Sequence, residues 1–237
     1  MLAEIESMAE KMGLSIKSIV IDEDELDIRL KAAGNAGKAL PRPSRAQQVG
    51  DRIRIDSVDV DECEIDGERF NALHLKDVEA ILVDVGDGKT FLFEDILFLH
   101  DIDAKESGKP FPETPLGKYL AGPFRKALEN RLGADLREVS LLSYDNVFND
   151  KSKDYMPFFE KQTHRIKTFE NDTWWWWLGT PGASYATNFC SVNYDGYSVY
   201  FHASNSDGGV APDFIRRHKW FFNRAVRFER RLFPSDF

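Results

Sequence analysis

Only two cysteines, Cys63 and Cys190, occur in the 237 residues, and they lie far apart. Neither belongs to a CxxC or Cys/His grouping, so a disulfide framework and a structural zinc site both lack their raw material. No apolar run approaches the ~18 residues a membrane-spanning helix needs, and the mean hydropathy is −0.42. Glu4, Glu6 and Glu10 interrupt the N-terminal stretch where a signal peptide would be continuously apolar, so export by that route is not expected. Basic residues are outnumbered, 31 Lys and Arg against 40 Asp and Glu, and the net charge of −9 argues against a nucleic-acid-coating surface. No GxSxG, P-loop, GxGxxG or HExxH motif occurs. What is present is enough apolar material for a core, 42% hydrophobic with 13% aromatic, which excludes wholesale disorder. The length allows one large domain, or a small one joined to a medium one.

Along the chain, Leu2, Ile5, Met8 and Met12 recur at helical spacing and place one apolar stripe on a short helix ending near Gly13. So short a helix is marginal alone and needs a partner, either the following domain or a second copy of the chain. Residues 1–32 therefore read as a helical or helix-strand segment, and the Gly/Pro-rich residues 33–50 as a linker. Beyond it, Ile53 and Ile55, then Val58 and Val60, alternate at period two with a slip at Asp56–Ser57. Val78–Val85 and Thr90–Phe93 flank Gly86-Asp87-Gly88 as a hairpin would. The acids at 59, 61, 62, 64, 66 and 68 suggest a calcium loop. Its sixth position requires glycine and here is Glu64, so a solvated acidic strand edge is the better account. Thr114 as a cap and Pro115 in the first turn open a helix at 115–121, which Gly122-Pro123 should break. A second helix, 123–132, carries Phe124, Leu128 and Leu132 and stops at Gly133. Val139–Leu142 reads as a short buried strand and 149–163 as a loop.

Residues 174–215 differ from the rest. Trp174 to Trp177 in a strand send two indoles to each face, at least one pair into the core. Asp195-Gly196 signals a two-residue turn, which would pair Val192 with Val199 and Cys190 with Phe201. One face then holds Cys190, Val192, Tyr194, Tyr197, Val199 and Phe201 as core. The other holds Ser191, Asn193, Ser198 and Tyr200 and, further out, Phe189 and His202. This makes Cys190 a packing residue rather than a nucleophile. Between Leu178 and Ile215 there is no Lys, Arg, Glu, Gln, Met or Trp, types that supply 60 of the 237 residues. Tyr, Ser, Asn, Asp, Gly, Ala and Thr replace them, the chemistry of antibody-like contact surfaces. A Tyr/Ser-rich sheet surface with short loops is the competing account.

The runs Trp175-Trp176-Trp177-Leu178-Gly179-Thr180-Pro181-Gly182, Val192-Asn193-Tyr194-Asp195-Gly196 and Gly209-Val210-Ala211-Pro212 resemble an uncharacterised domain family of bacterial and prophage proteins. Its signature runs W-W-L-R-S-P-G, V-N-x-D-G and G-V-R-P-A. Phe91–Leu97, Leu116–Phe124 and Val139–Tyr144 are similar to further family segments, so the resemblance covers about 70–215. Gly179 and Ala211 stand where the family has arginines. The resemblance implies a C-type lectin-like architecture, the class that includes formylglycine-generating enzymes and retroelement-diversified phage receptor-binding proteins. Adenine-directed diversification of A-A-pyrimidine codons cannot yield Lys, Glu, Gln, Met or Trp, so the residue types missing from 178–215 fit a diversified cassette. Phage fibre proteins of this kind are commonly trimeric.

Residues 216–237 hold seven basic residues against Glu229 and Asp236, interleaved with Trp220, Phe221, Phe222, Phe228 and Phe233. Such a tail can stack on nucleic acid or lie on a membrane. The strongly acidic remainder draws it instead to the body or a neighbouring subunit. Among the five histidines only His100-Asp101-Ile102-Asp103 approaches a cluster, and a solvated strand end accounts for it. The expected fold is α+β: a C-type lectin-like domain over 51–215 with two helices packed on a twisted antiparallel sheet, after an N-terminal helical segment and linker at 1–50 and before the tail. The expected function is non-enzymatic binding of a cell-surface protein or glycan receptor, with no cofactor and no metal, in a phage tail or the bacterial cytoplasm. Self-association, as a trimer or otherwise, is expected through the N-terminal segment or the tail. The expected contact residues are Tyr185, Thr187, Asn188, Ser191, Asn193, Ser198, Tyr200, His202, Asn205 and Asp207. A formylglycine-generating-like enzyme would need paired redox or copper-binding cysteines and stays the alternative, with a structural phage or intracellular interaction protein.

Overall fold

The computed structural model describes residues 14–22, 25–32, 47–86 and 88–216. The chain divides into two units, Met1–Ala46 and Gln47–Phe237. In the first, β1 (Leu14–Asp22) and β2 (Glu25–Ala32) pair antiparallel with Ile19 opposite Ile28. Over 14–32 this agrees with the helix-strand alternative and corrects the wholly helical one. Leu14 and Ile16, Ile19 and Ile21, then Leu26, Ile28 and Leu30 repeat at period two, and β-branched residues favour extended chain. The stripe Leu2, Ile5, Met8 and Met12, most of the linker, and the tail beyond Arg216 lie outside the described residues.

The second unit opens with β3 (Arg52–Val60), β4 (Cys63–Ile65), β5 (Glu68–Phe70), β6 (Leu73–Asp84), β7 (Lys89–Phe93) and β8 (Phe98–Leu99). Helix α1 follows in three pieces, Pro115–Tyr119, Leu120–Phe124 and Arg125–Leu132. Then come β9 (Leu136–Ser140), the single turn α2 (Tyr144–Val147), β10 (Lys167–Phe169) and β11 (Asp172–Trp174). The last strands are β12 (Trp176–Pro181), β13 (Asn188–Val192), β14 (Ser198–His202), β15 (Gly209–Val210) and β16 (Asp213–Arg216). Two five-stranded sheets result, ordered β3-β6-β7-β16-β9 and β14-β13-β12-β15-β8. Every neighbouring pair in them is antiparallel except β12 with β15.

Among the described residues strand predominates, against one substantial helix of 18 residues. The fold is sheet-rich, and the expected α+β arrangement, a C-type lectin-like domain with two helices packed on an antiparallel sheet, does not describe it. The expected break at Gly122-Pro123 is a π-helical turn over Leu120–Phe124 that carries the axis through. Proline lacks the N–H for its own helical bond and its ring crowds the preceding turn, and a widened turn accommodates both defects. The start is as expected: Thr114 Oγ1 accepts from Gly117 N at 3.1 Å, with Pro115 in the first turn. Gly133, at φ +57°, ends the helix.

Two apolar clusters cover opposite faces of the central strands. Ala80 and Leu82 of β6, Phe91 and Phe93 of β7, and Trp177 of β12 join Leu116, Leu120, Phe124 and Leu128 of α1. Ile81 and Val83, Leu92, and Trp176 point the other way, to Leu142, Val147, Phe159, Cys190 and Val192. The tryptophan run therefore splits between faces as a strand requires. Trp176 and Trp177 are fully buried, while Trp174 and Trp175 lie half-buried against the second and first cluster respectively. Strands buried on both faces read as unbroken apolar runs, as Ala80–Val83 and Phe91–Phe93 do. The phase slip at Asp56–Ser57 is present too: Ile55 is buried, then Val58 and Val60.

Candidate functional site

Strands β13 and β14 form the expected antiparallel hairpin, shifted by one residue from the expected register. Val192 faces Ser198, Ser191 faces Val199, Cys190 faces Tyr200, and Phe189 faces Phe201. The cause is the turn. Gly196 N bonds Asn193 O at 2.9 Å and Asn193 N bonds Tyr197 O at 2.8 Å, which makes Tyr194-Asp195-Gly196 a three-residue loop with Gly196 at φ +85°. Three-residue hairpin loops put glycine in the left-handed position, whereas a two-residue type I′ turn was expected from Asp-Gly. The turn is docked: Gln162 Nε2 donates to Asp195 O at 2.8 Å, and a Cβ on Gly196 would stand 2.9 Å from Gln162 O.

A one-residue shift moves side chains between faces. Strand β13 is buried on both, with Phe189, Cys190, Ser191 and Val192 all nearly inaccessible. Strand β14 is the edge and alternates, with Ser198, Tyr200 and His202 exposed and Val199 and Phe201 half-buried. Phe201 lies against Trp175, ring centroids 4.2 Å apart. Two expectations are thereby corrected. Ser191 is not a contact residue; it is buried, and its hydroxyl has no partner. Tyr194 and Tyr197, expected in the core, are 58% and 60% exposed: Tyr194 lies in the three-residue turn, and Tyr197 closes it opposite Asn193, beyond the last paired residues of β13 and β14.

The other expected contact residues fall around this hairpin. Tyr185 is 69% exposed in a loop held by Gly182 N to Asn188 O, 2.7 Å, and Asn188 N to Tyr185 O, 3.0 Å. Thr187, Asn188, Asn193 and Asn205 are half-buried, and Asp207 is exposed. Thr187 O accepts from Ala203 N at 2.8 Å and Asp207 O from the Trp174 indole at 2.8 Å, so both also brace backbone. His202 Nδ1 lies 3.4 Å from Glu106 Oε1, which accepts from Ser204 Oγ at 2.5 Å. Tyr200 hydrogen-bonds the Cys190 thiol, and proximity to Cys190, then partial burial, pushes its phenol above the ordinary range. Burial pushes the Cys190 thiol up, so it is a poor nucleophile at neutral pH.

Residues 135–216 match the family model of a domain of unknown function, DUF6273. No curated protein and no solved structure matches the chain. The matched stretch runs from β9 to β16 and takes in the tryptophan strand and the whole hairpin. It leaves out β3 to β8 and α1.

Those excluded elements carry a second constellation. One ligand atom each from Glu68, His100 and Asp101 lie within 4.8 Å of one another. The expectation of a solvated strand end at His100–Asp103 is corrected here. Asp103 and Ile102 are buried, and His100 is half-buried beneath Phe70, its ring stacked at 4.4 Å. Sequence proximity could not bring in Glu68, 32 positions upstream on β5, and its neighbours Gly67 and Arg69 are both exposed, so no local pattern marks it. Burial pushes the Glu68 carboxyl up, helped by the charges of Asp101 and Asp103. His100 is held above its ordinary value: burial opposes the charge, and bonds to Asp101 and to the Arg69 carbonyl outweigh it.

Proposed function

We propose that this chain is a non-enzymatic binding protein whose contact surface is the outer strip of the β13–β14 hairpin and the loop before it. One observation carries the proposal. Apart from Val49 and Val85, every exposed large hydrophobic among the described residues is a tyrosine of this segment: Tyr185, Tyr194, Tyr197 and Tyr200. Phenol rings left in water lose the burial that repays aromatic side chains elsewhere in this core, and they gain it when a partner covers them. Tyrosine anchors large contact area with few rotors, and the interspersed Ser198, His202, Asn205 and Asp207 offer directional hydrogen bonds. The scaffold beneath is anchored, since β13 is buried on both faces and the turn is tied to Gln162. Preorganised loops lose little entropy when they bind. The partner class that the resemblance implies, a cell-surface protein or glycan, fits such a surface.

The test replaces Tyr194, Tyr197 and Tyr200 by serine together and measures binding to candidate host cells beside urea stability. Binding should fall at least about tenfold while stability changes by less than about 1 kcal/mol, as exposed positions allow. A stability loss of several kcal/mol, or unchanged binding to an identified receptor, would remove this strip as the contact surface.

A further inference from the structure

We propose that the open edge of β14 pairs antiparallel with β14 of a second copy of this chain, about a two-fold axis at Tyr200. Strand β14 ends its sheet, and among the described residues no strand pairs with it on the side away from β13. The main-chain bonds show what that side offers. Asn193 N donates to Tyr197 O at 2.8 Å, and Ala203 N donates to Thr187 O at 2.8 Å. Hydrogen-bonded pairs alternate along an antiparallel ladder, so Phe189 with Phe201 and Ser191 with Val199 are bonded pairs too. Val199 and Phe201 therefore spend their N–H and C=O groups on β13. Ser198, Tyr200 and His202 direct theirs outward. His202 O takes Asn205 N at 3.0 Å and keeps a second lone pair.

The other three edges of the two five-stranded sheets are each blunted. Strand β3 exposes Arg52, Arg54, Asp56 and Asp59, β9 exposes Arg137 and Glu138, and β8 is two residues long. Charge and shortness are devices that keep edges from pairing with other chains. Strand β14 has neither. It is five residues long, runs beside β13 without a bulge, and contains no proline, lysine or acid.

The strand is also complementary to itself. An isologous contact sets one surface against its own copy, so a two-fold antiparallel pair needs a pattern that reads alike in both directions. Ser198-Val199-Tyr200-Phe201-His202 runs polar, apolar, phenol, apolar, polar about its centre. With Tyr200 opposite Tyr200 of the second copy, Ser198 meets His202 of that copy and Val199 meets its Phe201. No two like charges face each other. The outward groups of Ser198, Tyr200 and His202 fall opposite those of His202, Tyr200 and Ser198, and each pair exchanges both main-chain bonds. Val199 and Phe201 are half-buried, Phe201 against Trp175, and the added strand covers their remaining apolar surface. Pairing at the edge leaves the face that carries Tyr200 open, so the inference stands whatever that face binds, and it sets two tyrosine strips side by side. The contact is small, at the transient end of interface sizes, so association should depend on concentration.

The test follows the mass of the full chain by sedimentation from micromolar to millimolar concentration, with amide hydrogen exchange read residue by residue by NMR. Mass should rise from one chain toward two. The amides of Ser198, Tyr200 and His202 should gain protection as it does, while those of Val199 and Phe201 stay protected throughout. Ser198→Pro removes an outward N–H and no bond to β13, and it should weaken association at least about tenfold with an unchanged circular dichroism spectrum. Should that variant fail to fold, Val199→Lys, which sets an ammonium against Phe201 of the second copy, carries the comparison. A chain that stays monomeric throughout would overturn the proposal. So would association that leaves the three outward amides exchanging as fast as in the monomer, or a folded variant that associates like the wild type.

Discussion

Two ionisable side chains sealed in the second unit should give its stability a trough near neutral pH. Asp213, 5% exposed on β16, has an unpartnered Oδ1. Burial, reinforced by Glu138, pushes its carboxyl from 3.8 up to about 7. Below pH 3.8 the carboxyl is protonated whether the chain is folded or not. As pH rises from 3.8 to about 7, the unfolded chain ionises its copy while the folded chain keeps the proton, so stability falls. Above about 7 the loss is complete, and at ~1.4 kcal/mol per tenfold it amounts to at most about 4 kcal/mol. Lys167, 3% exposed, donates to Phe93 O and Glu94 O and lies 5.1 Å from the Trp176 ring centre. Burial draws its ammonium from 10.5 down to about 7 against the pull of Asp95 and Glu94. The folded chain therefore carries fewer protons than the unfolded one between about 7 and 10.5, and stability rises with pH across that window.

The assay is urea unfolding followed by fluorescence of the buried Trp176 and Trp177, repeated from about pH 5 to 9 for wild type, Asp213→Asn and Lys167→Met. Asp213→Asn should flatten the acid-side fall and Lys167→Met the alkaline rise. Any loss from unmatched hydrogen bonds in either variant is independent of pH, so the slope and not the offset is diagnostic. A difference between wild type and Asp213→Asn that stays within about 0.5 kcal/mol from pH 5 to 8 would refute the claim that Asp213 is buried and uncompensated.

Gly208→Ala should destabilise strongly, by about 3 kcal/mol or more, because the new Cβ would stand 1.8 Å from Trp177 Nε1; denaturant midpoints check it. Cys190, 2% exposed with its thiol pushed up by burial, should react with a thiol-specific disulfide reagent only as fast as the chain unfolds, and fast labelling under native conditions would place it elsewhere.

Strand content was legible wherever pattern and burial agreed. The hairpin from β6 to β7, the phase slip in β3, the cap at Thr114 and the stop at Gly133 all follow from local residue types. The failures share a cause, which is that tertiary packing decided a local choice. Proline at 123 reads as a break, yet a helix pressed against Phe93 and Phe214 keeps its axis by widening one turn. Asp195-Gly196 admits both two- and three-residue loops, and the docking of the turn onto Gln162 accompanies the longer one. That single residue reversed Tyr194 and Tyr197. On β14 the exposed set Ser198, Tyr200 and His202 came out the same, because an edge strand keeps one face open in either register. Glu68 was illegible as a site residue because the contact joining it to His100 spans separate elements.

The missing long and charged side chains of 178–215 now have two separate explanations. Much of the segment is buried, including Leu178, 189–192 and 208–214, and Lys, Arg, Glu and Gln are rare at such positions in any protein. Burial cannot explain the exposed remainder. At the edge of the other sheet, the exposed positions of β3 and β6 are Arg52, Arg54, Asp56, Asp59, His74, Lys76, Asp77 and Glu79, joined by pairs such as Arg54–Asp77 at 2.8 Å. The exposed positions at 183–186 and 194–207 are Ala, Ser, Tyr, His and Asp. One unit thus presents two open sheet edges in the same solvent, one covered by charge and the other by phenol rings and small polar groups. Charged edges keep strands from pairing with other chains. An edge that gives up that protection and exposes Tyr194, Tyr197 and Tyr200 is the feature on which the proposed contact surface rests.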